Sequence, residues 1–360
     1  MIVSRKVVEQ AIDRDDVSRF VKELIVTDGP ISLGMVRKRA ADARGEPKET
    51  RGTVLLLHGY GQNRYAWHLP SRSMSCFLAR EGYDVFNLDL RGHGRSAHLG
   101  SPRPMTPADY VQEDVPSALA AIAELAGPKP VFLIGHSLGG IVGYAVAGSL
   151  PERVAGVASI GSPYHFLKGA RGLRFAGALG ERAIAAMTAL QGDAALELKW
   201  IGEAMRSMRL VVESPLYPFP IRGYCPANIE REVVGQHMAF AMDIGSIRVL
   251  RSMFQSALER ERRSDPSGGI EGFGDAFESR EDLALLVIAG SVDDLAPPPS
   301  VHSAFERSHS RDKTYRTFPL GHLDLLVGRE APYTVWASIL AWLRKRDEAG
   351  VRARTGTATA

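Results

Sequence analysis

Short, uninterrupted apolar runs alternate with helically spaced segments along much of the chain. Residues 53–57 (TVLLL), 131–134 (VFLI) and 154–160 (VAGVASI) are too short for helices and too apolar for half-exposed strands. Residues 84–88 give another strand. Between these runs, residues 71–81, 108–125 and 141–150 place apolar positions at helical spacing. Fully apolar strands separated by helices predict a parallel sheet covered on both faces. Upstream, residues 1–20 are expected to form a short amphipathic helix. Strands at 23–27 and 31–38 follow, joined by the turn signal Asp28-Gly29-Pro30.

The alternation stops near Ser162. Residues 181–190, 195–210, 233–240 and 247–260 all have helical spacing, and the run from Ser214 to Pro220 and the Gly-rich 267–274 break them up. It resumes with a strand at 284–289, a helix at 301–307, a strand at 313–318 and a closing helix at 333–345. The expected organisation is an α/β core of residues 1–161 and 281–346, interrupted by a helical cap or lid at 162–280. A disordered tail is expected at 347–360.

Composition narrows the class without changing this outline. Hydrophobic residues at 45% and charged residues at 24% are ordinary globular values. A formal net charge of +3 is too small to imply nucleic acid as a partner, and much of the basic excess lies near the C-terminus. Cys76 and Cys225 make no disulfide framework and no CxxC pair. The first residues interleave charges with apolar positions, unlike a signal peptide, and no apolar run approaches the roughly 20 residues of a membrane span. The expectation is a soluble cytoplasmic protein, with surface contact to lipid still open. No metal or cofactor is expected.

The sharpest chemical feature is Gly135-His136-Ser137-Leu138-Gly139. A GxSxG pentapeptide arises by chance in roughly one chain in ten of this length, so its setting decides its meaning. Here a strand precedes it and an Ala/Val/Gly-rich helix follows, the arrangement a nucleophile on a tight turn needs. A serine hydroxyl is a weak nucleophile and requires a base, an orienting carboxylate and donors for an oxyanion. His322, in Phe318-Pro-Leu-Gly-His322 after a late strand, is the best placed base. His302 and His309 flank a helix, and His237 lies in the cap. The acid is expected in Asp293-Asp294, at the end of the 284–289 strand, and position alone leaves both open. Leu138, next after the serine, and Tyr60, in His58-Gly-Tyr-Gly61 after the first central strand, are the expected oxyanion donors through their backbone N–H groups. The stretch from Asp89 to Ser96 (DLRGHGRS) is expected to be architectural, with Asp89 and Arg91 tying loops together.

With these residues placed, the chain resembles the α/β-hydrolase superfamily over about residues 20–345. HGYG, DLRGHGRS, GHSLGG, GSVDD and GH occur in that family's order. Four pieces look like its acid (gastric and lysosomal) lipase branch: Ile25-Val-Thr-Asp-Gly29, Gly82-Tyr-Asp-Val85, Asp293-Asp-Leu-Ala296 and the run His322 to Gly328. In that branch the catalytic Asp begins a D-x-L-A turn and the catalytic His begins an H-L-D run, which selects Asp293 and His322. Those lipases are secreted, and their usual GHSQG is GHSLG here. The resemblance implies cleavage of an ester through an acyl-serine intermediate. Acyl transfer, thioester hydrolysis and C–C bond hydrolysis use the same triad, and some proteins of this fold bind small ligands without turnover. The cap suggests a small apolar acyl or aromatic ester as substrate. Trp67, Trp200, Tyr217, Phe219 and Met238 are the candidates for lining its pocket.

Overall fold

The computed structural model describes residues 1–170, 195–197 and 223–356. Four fully apolar runs become β4 (Gly52–Leu57), β6 (Val131–His136), β7 (Val154–Ile160) and β10 (Ala284–Gly290). They pair in parallel in the order β4-β6-β7-β10. The pleat sends alternate residues to opposite layers. Leu56, Ile134, Ala158 and Leu286 lie in register and join one apolar cluster. Their neighbours Leu55, Leu133, Val157 and Leu285 join the other. Each leucine so buried contributes about 1.5–3 kcal/mol.

The sheet is completed by β1 (Ile2–Asp13), β2 (Asp16–Val26), β3 (Gly34–Ala40), β5 (Tyr83–Leu88) and β11 (Lys313–Phe318). Its order is β1-β2-β3-β5-β4-β6-β7-β10-β11. The helix expected over residues 1–20 is corrected by this topology. Those residues form β1 and the first part of β2, an antiparallel hairpin with Val7 opposite Val21. The turn between them uses Arg14 at φ 50°. Most of β1 is solvent-exposed at the sheet edge, so no apolar stripe marks its period. Its β-branched Ile2, Val3, Val7 and Val8 instead favour the pleated conformation.

Strands β7 and β10 are direct neighbours, although the chain between them runs from Gly161 to Leu283. Most of this interval, residues 162–280, was expected to be mainly helical. Its described part contains the helix Ile247–Arg263 and a helical segment from Arg231 to Ala241. The expected helix at 195–210 is corrected at its start. There β8 (Ala195–Glu197) pairs antiparallel with β9 (Ile244–Ser246), since its three residues gain ladder hydrogen bonds from that partner. The closing helix runs from Ala337 to Gly356, past the start of the tail expected to be disordered. Residues 347–356 contain no proline, and Glu348, Ala349, Arg352, Ala353 and Arg354 favour a helix. Among the described residues no helix is long and apolar enough to cross a membrane.

Because β4, β6, β10 and β11 run in parallel, the loops after Leu57, His136, Gly290 and Phe318 all emerge at one sheet edge. That edge gathers the residues singled out above.

Candidate active site

Ser137 joins β6 to the helix Leu138–Ser149 with φ 53° and ψ −121°. Positive φ in a residue with a Cβ costs about 1–2 kcal/mol, so the surroundings must impose it. They do so by close packing: a Cβ on Gly139 would strike the Leu57 carbonyl, and one on Gly135 would strike the Gly139–Gly140 peptide. The Ser137 N–H donates to the Ile160 carbonyl at 2.9 Å, which locks the turn to β7. Replacing Gly139 with alanine is therefore expected to lower stability by about 3 kcal/mol or more, read as a drop in the urea midpoint.

His322 follows β11 in a loop at the same edge. Its Nδ1 donates to Asp293 Oδ2 at 2.8 Å, and both residues are buried. The second oxygen of Asp293 accepts the N–H groups of Leu295 (2.9 Å) and Ala296 (2.7 Å), which fixes the carboxylate from its other side. Asp294 instead accepts the Gly223 N–H at 3.2 Å. Burial alone would lower the His322 pKa. The charge and hydrogen bond of Asp293, aided by Asp294 and Asp324, outweigh it and raise the value. The serine turn and the histidine loop touch through His136. Its ring lies 4.5 Å from that of His322, and its Nε2 donates to the His322 carbonyl at 3.2 Å.

The loop after β4 is held from several sides. His58 donates from Nδ1 to the Gly59 carbonyl (3.0 Å) and accepts the Leu90 N–H at Nε2 (3.1 Å). One neutral tautomer satisfies both bonds, and burial lowers its pKa accordingly. Gln62 Oε1 accepts the Gly59 N–H at 3.1 Å, while its amide donates to His237 Nε2 at 3.2 Å. Burial takes the His237 pKa down to about 4, which keeps that nitrogen an acceptor. Neither the Tyr60 nor the Leu138 backbone N–H has a hydrogen-bond partner among the described residues. The Tyr60 side chain turns the other way, donating to the Ser246 carbonyl at 2.9 Å and packing on Gly245.

DLRGHGRS forms a scaffold, as its glycines and charges suggest. Asp89 accepts the backbone N–H groups of Arg64 (2.7 Å) and Arg95 (2.8 Å) and pairs with the Arg64 guanidinium. Arg91 pairs with Asp114 and Glu113, both at 2.7 Å. Of the expected pocket residues, Trp67 and Met238 are buried in one apolar cluster together with Leu320 and Leu325 of the histidine loop. Trp200, Tyr217 and Phe219 lie outside the described residues. Sequence reasoning missed His58, Gln62, His237 and Asp324. Of these, His58 and Asp324 lie inside recognised motifs that were read for other residues, whereas the Gln62–His237 pair leaves no local trace.

A family model of the alpha/beta hydrolase fold matches residues 52–189, which span β4 to β7 and the serine turn. Two solved structures share the architecture at low identity. One is a carboxylesterase of Nitrososphaera gargenis, with TM-score 0.56 and 18% identity, covering 90% of this chain and 99% of that one. The other is a soluble variant of the monoglyceride lipase of Saccharomyces cerevisiae, with TM-score 0.55 and 16% identity, covering 90% and 95%. Residues 52–189 therefore match the alpha/beta hydrolase family, and the two solved structures show the same fold over most of the chain. The chain's curated relatives vary in what their names describe. It is 35% identical over 123 residues to a pimeloyl-[acyl-carrier protein] methyl ester esterase of Aliivibrio fischeri, 34% of this chain and 41% of that one. It is 30% identical over 124 residues to epoxide hydrolase B of Mycobacterium tuberculosis, 34% and 32% of the two chains. The chain thus spans less than half the length of the curated relatives it matches. These matches reach about a third of this chain, and they do not single out an acid lipase branch.

Proposed function

We propose that the chain is a serine hydrolase that cleaves carboxylic esters with an apolar acyl or aromatic part through an acyl-serine intermediate. The observation that carries this reading is the buried His322–Asp293 pair, set beside a serine held at positive φ. His322 Nε2 takes the Ser137 proton as the oxygen attacks the ester carbonyl. The free N–H groups of Tyr60 and Leu138 receive the developing oxyanion, and the N-terminus of the Leu138–Ser149 helix adds its positive end. Collapse expels the alcohol, protonated by His322, and water activated by the same imidazole releases the acid. Asp293 fixes the tautomer and stabilises the imidazolium. Trp67 and Met238 are the described candidates for the apolar side of the pocket. The ester-cleaving names among the relatives agree with this reaction class.

The test is a p-nitrophenyl ester series from acetate to palmitate, run beside thioesters and amides with wild type and Ser137→Ala. Wild-type activity in folded Ser137→Ala would overturn the reading. The pH dependence follows from the base. Only neutral His322 accepts the proton, so kcat/KM falls as pH drops through the free-enzyme pKa. That pKa is raised, so the acidic limb should lie above the ordinary imidazole range near 6.5. Asp293→Asn removes the largest stabiliser of the imidazolium. It should lower kcat by about 10⁴ and move the limb to lower pH.

A further inference from the structure

One buried carboxylate near the site is unused by the chemistry above. Asp324 is fully buried two residues after the base. Its Oδ2 accepts two backbone donors, the Gly321 N–H at 2.7 Å and the Cys225 N–H at 2.8 Å. The first belongs to the residue before His322, and the second to the segment that returns from the insertion. Its Oδ1 is buried without a hydrogen-bond partner among the described residues. An ionised group left half-satisfied in the interior is costly, so a merely structural site would be better filled by asparagine or serine.

The segment from Gly223 to Glu230 lies along the whole histidine loop. Besides the Cys225 bond, the Leu323 N–H donates to the Gly223 carbonyl at 2.9 Å, and the Arg329 N–H donates to the Asn228 carbonyl at 2.8 Å. The Gly223 N–H reaches Asp294 beside the acid, so the segment touches both the acid and base loops. The fit around Gly321 is tight. A Cβ there would stand 2.5 Å from Asp324 Oδ2 and 3.2 Å from both the Cys225 nitrogen and the Tyr224 Cα.

We propose that Asp324 is the positioning residue of His322, its carboxylate clamping the base loop to the 223–228 segment of the insertion. The proposal rests on the serine-hydrolase reading above. It makes the insertion a structural part of the catalytic base rather than only a cover for substrate. The charge has a second consequence. Asp293, Asp294 and Asp324 are the acidic groups that act on the imidazole, and His136 is the titratable ring packed against it. Burial raises the Asp324 pKa, opposed by the backbone bonds from Cys225 and Gly321 and by the Cys225 side chain. Burial first, and then the Asp324 charge, push the Cys225 thiol up to about 12, so the thiol stays protonated.

The experiment compares wild type, Asp324→Asn and Asp324→Ala in ester hydrolysis from pH 5 to 9, with thermal midpoints recorded. The His322 titration is followed by NMR in the Ser137→Ala background. Asp324→Asn should lower plateau kcat about tenfold with KM nearly unchanged. It should also move both the acidic limb and the NMR titration to lower pH. Asp324→Ala should lower kcat about a hundredfold, the size expected for a misplaced catalytic group. A folded Asp324→Asn enzyme with wild-type kcat and an unmoved His322 titration would overturn the proposal. If Asp324→Asn does not fold, Cys225→Pro decides, because it deletes one donor and leaves the Asp324 side chain in place. It should lose kcat severalfold, and wild-type kcat there would sink the proposal. Failure of the underlying reading looks different: Ser137→Ala would then hydrolyse esters as wild type does, whatever Asp324 does.

Discussion

Replacing Ser137 separates activity from stability in opposite directions. Ser137→Ala should remove ester turnover by about 10⁴–10⁶ in kcat, the loss expected when the nucleophile of a triad is deleted. It should also abolish labelling by a fluorophosphonate probe. Ser137→Gly should be equally inactive yet more stable than Ser137→Ala by about 1–2 kcal/mol. The serine sits at φ 53°, where glycine is free and any residue with a Cβ is strained. The Ser137 N–H to Ile160 bond and the close approach of Gly139 to β4 are backbone features that both variants keep. Thermal melts of the two variants therefore read the strain stored at the turn, and the esterase assay reads the chemistry. If the glycine variant were no more stable, that strain would not reside at this residue.

The central sheet was legible because burial on both faces leaves no room for polar residues. Leu55 and Leu56 face opposite layers, and both must be apolar. The serine turn was legible for a related reason, since a strained backbone in close contact with β4 restricts its neighbours to glycine. The N-terminal hairpin was not legible. In β1 the exposed Arg5, Lys6, Val7 and Glu9 present no buried face, and a strand without a buried face has no period to find. The choice of Asp293 over Asp294 came from family resemblance, and position along the chain left it open. In the structure the turn N–H groups of Leu295 and Ala296 hold Asp293, whose other oxygen meets His322, and this contact supports the proposed choice.

The supporting polar groups were hidden for a different reason. Gln62 meets His237, and Asp324 meets Cys225, across separations of 175 and 99 residues. Each is an ordinary polar residue in its own neighbourhood. Its role exists only once the returning segment of the insertion is laid against the sheet edge. Residues fixed by local backbone geometry can be read from the chain, and residues fixed by a distant partner cannot.

Arg72 is the largest such case. Its side chain is 1% exposed and holds three separate parts of the chain together. Nε donates to Asp13 at 2.9 Å, at the end of β1. The two terminal nitrogens grip Glu230 at 2.8 and 3.0 Å, and one of them also donates to the Val327 carbonyl at 2.8 Å. Arg72→Ala leaves two carboxylates and a carbonyl without their shared donor, which costs about 3–5 kcal/mol. The thermal midpoint should fall by roughly five degrees. Arg72→Lys should recover only part of this, because one ammonium cannot reproduce a planar fork that serves three acceptors. Neutralising the carboxylates should recover more: Arg72→Met combined with Asp13→Asn and Glu230→Gln should be more stable than Arg72→Met alone. Loss of the guanidinium also releases Val327, which closes the short helix Asp324–Val327 that starts two residues after the proposed base His322. Arg72→Ala should therefore lower kcat even at temperatures where the protein remains folded. A variant that loses stability but keeps full kcat would show that the base loop does not depend on this clamp.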